Sequence, residues 1–292
     1  MEQEGMVQEG MGHEQEPQPA ARIYMDMARH GLKGPKPREA LSKEGIEGAV
    51  EAGLGKVQPA PAGDVYGSPR ERTGQSSVFR MYAEQLQHVT GWDFDPEEFV
   101  RWLEKGGLSK TETPFLNFQV GEGEYNKEFM ENFLKGEYFK WITERSDAAA
   151  LEFKQKPESV TPFSIQAGNV GSFIFAEVWA AYDRLGKGET VEPRVDFATS
   201  HQGVLESFLY KVIKKHSGDD LAAHLVESLN NQGFAENQGF SVEVKILDPH
   251  DPKAWNVTVV YGDTPFVLPS AEVLEIIKEG QDLKTALAEL QK

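Results

Sequence analysis

Three times in this chain an apolar run of strand length stops at a histidine or an arginine, and each time a helical pattern follows. Ile23-Tyr24-Met25-Asp26-Met27-Ala28 stops at Arg29-His30-Gly31. Asp64-Val65-Tyr66 stops at Gly67-Ser68-Pro69-Arg70-Glu71-Arg72-Thr73, and Val195-Asp196-Phe197-Ala198-Thr199-Ser200 stops at His201-Gln202-Gly203. Strands alternating with helices imply βαβ units and a mainly parallel sheet. In such a sheet ligands bind at the carboxyl ends of the strands. The alternation predicts an α/β fold, a three-layer α/β/α sandwich, with the three cationic junctions at those ends.

The intervening segments support this. Ser42 is placed to cap a helix through Ile46, Ala49 and Val50 that breaks at Gly53, and the weak helix formers Gly45 and Gly48 imply close packing against a neighbour. Val78, Phe79, Tyr82, Leu86 and Val89 repeat with helical period, as do Val204, Leu205, Phe208, Val212 and Ile213. Residues 90–160 are dense in aromatics, among them Trp92, Trp102, Phe118, Phe129, Phe133 and Trp141, and read as a partly helical insertion that caps the strand ends. Beyond Gly233, residues 241–247, 256–261 and 266–268 read as strands, with a turn at Gly262-Asp263. A helical pair follows from Ser270 through Leu274, Ile276, Ile277, Leu283 and Leu287. This C-terminal part is expected to complete the sheet and to hold no chemistry.

Composition narrows the chemistry. The chain has no cysteine, which removes disulfides, thiolate metal sites and cysteine nucleophiles. A net charge of −17 repels nucleic acid and anionic membranes, and no basic block offsets it. Neither is expected as a partner. Residues 1–21, rich in Glu, Gln, Gly and Pro, read as a disordered acidic tail, and residues 22–292 as one domain with the cap inserted at about 90–160. The N-terminal stretch shows neither a secretory nor a transit pattern, and no apolar run is long enough to span a bilayer, so a cytoplasmic location is expected.

Phosphoryl transfer through a covalent intermediate needs an unhindered nucleophile, fixed donors for the phosphoryl oxygens and an acid for the leaving oxygen. The three junctions supply most of these groups. Their residues resemble the histidine phosphatase superfamily, which includes cofactor-dependent phosphoglycerate mutases and acid phosphatases. The resemblance is carried by Ala28-Arg29-His30-Gly31, Leu41-Ser42-Lys43-Glu44-Gly45, Tyr66-Gly67-Ser68-Pro69-Arg70-Glu71-Arg72-Thr73 and Thr199-Ser200-His201-Gln202-Gly203-Val204, in the family's order.

The resemblance implies that His30 is the phosphorylated nucleophile and Arg29 a phosphate ligand from the same turn. Arg72 matches the second arginine, with Arg70 two residues earlier as the alternative, and His201 matches the second histidine. Mutase-like members place a Glu ahead of a Gly in the insertion, where this chain reads Leu116-Asn117-Phe118-Gln119-Val120-Gly121. Acid-phosphatase-like members place Asp after the second histidine, where this chain has Gln202. Glu112, Glu122 and Glu124 are substitutes by position, and Glu122 is selected as the acid.

Lys33 and Lys36, in the loop after the nucleophile, are candidates for a second anionic group of the substrate, and Arg70 and Gln202 are further substrate-binding candidates. His88, His216, His224 and His250 are expected on the surface or on helix faces. The function implied is a phosphomonoesterase that works through a phosphohistidine on a small phosphorylated metabolite, with no metal or cofactor. Two alternatives stay open: a mutase that returns the phosphoryl group to another hydroxyl, and a non-catalytic phosphate-ligand binder that has lost the acid.

Overall fold

The computed structural model describes residues 18–34, 40–54, 58–86 and 111–292. The acidic tail up to residue 17, Lys36, His88, Val89, Trp92 and Trp102 lie outside the described residues.

The strands are β1 (Ala21–Arg29), β2 (Ala62–Gly67), β3 (Thr111–Glu112), β4 (Arg194–Ser200), β5 (Gly239–Ile246), β6 (Trp255–Tyr261) and β7 (Thr264–Pro269). They form one seven-stranded sheet in the order β3-β2-β4-β1-β5-β6-β7. Its first half is parallel: β3 pairs β2, β2 pairs β4 and β4 pairs β1. The C-terminal strands extend it as an antiparallel meander from β1 through β5 and β6 to β7. The parallel half is the part that matters for the site. Its three long strands lie side by side, so the ends of β1, β2 and β4 arrive at one edge.

Side chains alternate across each strand, and β1 shows what each face demands. Ile23, Met25 and Met27 pack into the main core, which also takes in Val170, Phe173, Phe208 and Ile276. These come from the helices α7 (Phe163–Gly186), α8 (Val204–Ser217) and α10 (Ser270–Glu289). Asp26 points the other way and meets Arg80, which lies on α2 (Glu71–Met81). That second layer is built from α1 (Lys43–Leu54), α2 and the short α3 (Ala83–Leu86), around Ile46, Val50, Phe79 and Leu86. Between α3 and α7 in the chain comes the inserted segment, with a 3-10 turn at Pro114–Leu116 and the helices α4 (Gly123–Leu134), α5 (Tyr138–Glu144) and α6 (Ser146–Glu152). The short α9 (Asp219–Ser228) follows α8.

Ser42 caps α1 as the spacing predicts, its Oγ accepting the Gly45 amide at 3.1 Å. Gly45 is forced by crowding, because a Cβ there would fall 3.0 Å from the Leu32 nitrogen and closer still to its carbonyl oxygen. The terminal helical pair is instead one continuous helix, α10. Gly280 sits inside it without ending it, because a Cβ at that position would lie 2.7 Å from the Ser164 carbonyl of α7. The glycine there permits a close helix crossing, and the packing it allows outweighs its poor helix propensity of about 1 kcal/mol. No helix among the described residues is long and apolar enough to cross a membrane.

Candidate functional site

The shared strand edge opens into a cavity of about 470 Å³ lined by Arg29, His30, Arg70, Arg72, His201 and Gln202, with Phe118, Gln119, Val120, Phe129, Phe133, Tyr138 and Ser159 opposite. Every junction predicted from sequence contributes.

His30 follows the last residue of β1. Its Nδ1 lies 2.6 Å from the Gly31 carbonyl, which can only accept, so the proton sits on Nδ1 and Nε2 carries the lone pair. Arg72 Nε donates to that Nε2 at 3.1 Å. The His201 ring stands edge-on to the His30 ring, centroids 5.4 Å apart. Two imidazoles and a guanidinium therefore line the same part of the cavity.

Burial pushes the His30 imidazole down to about 4, helped by the charges of Arg72, Arg29 and Lys33 and opposed by the Gly31 bond. Burial also pushes His201 down to about 3, with His30, Arg72, Arg70 and Arg29 adding repulsion. Both rings are neutral at pH 7, and His30 presents an unprotonated nitrogen to the cavity. An imidazole NMR titration is expected to place the His30 midpoint more than a unit below the ordinary 6.5, and saturating orthophosphate is expected to raise it. Because the folded value lies below the unfolded one, this group leaves stability unchanged above pH 6.5 and costs stability as pH falls from 6.5 towards 4. A midpoint near 6.5 in the free protein contradicts the buried geometry.

The clamp is held by an unusually polar helix face. On α2 the residues Thr73, Gln75, Ser76 and Ser77 are all buried, and each binds a strand-end loop. Ser76 Oγ accepts the Gly31 amide at 3.0 Å, Gln75 Oε1 accepts the Leu41 amide at 2.8 Å, and Ser77 Oγ donates to the Tyr66 carbonyl at 2.8 Å. Buried polar groups satisfied in this way fix one geometry, since each lost bond leaves an expensive orphan. Ser68 at the end of β2 does the same for His201, with Oγ 2.8 Å from Nε2 and also accepting the Arg70 amide at 3.2 Å. The serine was part of the sequence motif but carried no assigned role. It is the group that sets the plane of the second histidine.

Arg29 shows what the sequence reading missed. Its guanidinium donates to the Phe234 carbonyl at 2.5 Å and pairs with Glu236 at 3.1 Å, while its Nε is buried with no hydrogen-bond partner among the described residues. Buried Glu206 accepts the Gly203 amide at 2.8 Å and the Phe234 amide at 2.6 Å, tying this turn to the start of α8. The segment before β5, expected to hold no chemistry, thus positions a site arginine. Its signal was present in Asn230-Asn231-Gln232-Gly233, where Asn230, Asn231 and Gly233 all adopt positive φ, the conformation Asn and Gly favour.

Arg72 touches His30, and Arg70, exposed, lines the same cavity ahead of α2. Gln202 lines the cavity and its amide donates to the Gln232 carbonyl. Lys33 is exposed, bridges Leu41 and is not among the lining residues. Lys36 lies outside the described residues. His216, His224 and His250 are exposed, as expected.

Glu122 is not among the residues that line the His30 cavity. It lines a separate cavity with Glu124, Lys154 and Lys156, and its amide donates to Gln155 Oε1 at 2.7 Å. The residues on either side of it, Gly121 and Gly123, take φ of +71° and +56°. Among the described residues no carboxylate lines the His30 cavity, and none forms a cluster of three or more placed to hold a metal ion.

No protein-family model matches the chain, and no curated protein matches it in sequence. Solved structures to which it is similar include one titled mycobacterial hydrolase 1, at 15% identity over 83% of this chain and 98% of that one, TM-score 0.44. Others are a mycobacterial glucosyl-3-phosphoglycerate phosphatase, at 14% identity over 83% and 99%, TM-score 0.40, and an alpha-ribazole phosphatase from Shigella flexneri, at 17% over 78% and 92%, TM-score 0.36. The likeness of this chain to the histidine phosphatase superfamily rests on the motif segments themselves and on the strand edge that three of them share.

Proposed function

We propose that the chain is a phosphomonoesterase in which His30 is phosphorylated. The observation that carries this reading is the neutral His30 Nε2 facing the cavity with Arg72 and His201 around it. A phosphoryl dianion entering there offers oxygens to Arg72, which shifts its Nε–H from the imidazole to the ester and uncovers the lone pair. Arg29 Nε, buried without an acceptor, gains one. Nε2 then attacks phosphorus while the Nδ1 proton stays on Nδ1, hydrogen-bonded to the Gly31 carbonyl, which stabilises the imidazolium as charge develops. Water releases orthophosphate in the second step.

A non-catalytic phosphate binder is the second reading, favoured by Gln202 at the position where the resemblance leads one to expect an acid. The test is incubation with phenyl phosphate, following orthophosphate release and an acid-labile, base-stable phosphoenzyme mapped to His30. Release together with the adduct supports the esterase. The adduct without release, discharged by an added alcohol, points to phosphoryl transfer, and orthophosphate binding with neither points to the binder. No turnover, no adduct and no orthophosphate binding sinks the phosphate site altogether.

A further inference from the structure

We infer that the phosphomonoester held here carries an apolar group on its organic half, and that Phe133 reads that group from the wall facing the phosphate clamp. The inference rests on the phosphoesterase reading above and adds the class of substrate.

The clamp is polar and the wall opposite it is largely carbon. Phe118, Val120, Phe129, Phe133 and Tyr138 line the same cavity as His30 and Arg72. Their rings interlock: Phe129 and Phe133 stack at 6.1 Å, Tyr138 meets them edge-on at 5.2 and 5.9 Å, and Phe118 lies 5.8 Å from Phe129. Inserted helices need a core of their own, and Phe129 and Tyr138, at 6% and 3% exposed, serve as one. Phe133 and Val120 do not. They are 46% and 39% exposed, and both border the cavity. Core packing accounts for the buried rings and leaves these two apolar faces to water, which a ligand with an apolar group displaces favourably.

The polar groups on this wall are largely committed. Tyr138 Oη donates to the Gln202 carbonyl at 3.0 Å, and Ser159 Oγ donates to the Lys156 carbonyl at 3.0 Å. Gln119 is the remaining polar side chain opposite the clamp among the described residues. A heavily hydroxylated group placed against the wall gives up water for few partners, whereas an apolar one has no hydrogen bonds to lose. The Tyr138 bond also fixes the wall to the clamp. Gln202 and Gly203 directly follow His201, and the Tyr138 ring occupies the space that a Cβ on Gly203, at φ +89°, would take. The cavity of about 470 Å³ has the size of a site for a whole small molecule, of which a phosphoryl group is a minor part.

Alkylphosphonates test this by binding alone, because a phosphoesterase leaves their C–P bond intact. In calorimetric titrations affinity is expected to rise about two- to four-fold per added methylene, so that hexylphosphonate binds at least about 30-fold tighter than methylphosphonate. Saturating orthophosphate is expected to displace it. Phe133→Ala is expected to weaken hexylphosphonate about five-fold or more, and Phe133→Leu to restore most of the loss. Orthophosphate has no group to place on the wall, so its affinity is expected to stay within about two-fold in both variants. Phenylphosphonate, titrated beside hexylphosphonate, distinguishes a flat ring from a flexible chain as the apolar group, and tight binding of either supports the inference. Hexyl and phenyl affinities both within about three-fold of methyl overturn it. So does binding that orthophosphate does not displace, or that Phe133→Ala leaves unchanged. In each of those cases orthophosphate binding shows that the clamp itself stands. Failure of orthophosphate and methylphosphonate alike to bind removes instead the reading on which this one rests.

Discussion

His30→Ala is expected to lower turnover of phenyl phosphate by at least about 10⁴-fold, because no neighbouring group substitutes for the nitrogen that attacks phosphorus. His201 is closest, but Ser68 Oγ holds its Nε2 at 2.8 Å and the buried polar residues around that serine fix the ring plane. The loss should appear entirely in kcat. Orthophosphate affinity is expected to fall by less than about ten-fold, since Arg29, Arg72 and His201 keep their positions. His30 is half-buried beside a cavity, so truncation to alanine enlarges existing space instead of opening a void in the core. Single-turnover phosphate release and calorimetric titration of orthophosphate check the two halves. A variant that keeps a tenth of the activity would show that His30 is only a ligand.

The parts of this site that were legible in the sequence share one property: chain direction alone determines where they go. A strand that ends at Arg29-His30, another at Ser68 and a third at His201 must converge once their strands are parallel and adjacent, whatever their side-chain rotamers. The place of Glu122 was not legible, for the opposite reason. It lies five residues beyond Asn117, but position along an irregular segment fixes nothing when two left-handed glycines flank the residue. Glu236 and the Phe234 carbonyl were invisible because they reach Arg29 across more than two hundred residues of sequence, through a turn whose only cue is its Asn and Gly content. The continuous α10 was missed because Gly280 looks like a break until the helix crossing it permits is known.

The buried Arg80–Asp26 pair is the contact on which the site's geometry depends most, and Arg80→Met is expected to cost about 3–5 kcal/mol of stability. The two side chains are 1% and 3% exposed, with Arg80 Nη2 2.5 Å and Nε 3.1 Å from the same Asp26 oxygen. Arg80 Nη1 also donates to the Asn237 carbonyl at 3.0 Å. One guanidinium thus joins α2, which carries Arg72, to β1, which delivers Arg29 and His30, and to the turn whose Glu236 pairs with Arg29. Removing it takes the Arg80 guanidinium from a buried carboxylate, which is costly whatever the pair was worth as a whole. The double variant Asp26→Leu with Arg80→Met is therefore expected to recover most of the stability, because two apolar groups need no partners. It should not recover activity, since neither replacement holds the Asn237 turn. Urea unfolding with an unchanged m value measures the first effect, and kcat/KM for phenyl phosphate the second. If the single variant loses less than about 1 kcal/mol, or the double variant regains full turnover, the pair stabilises the sheet without positioning the arginines.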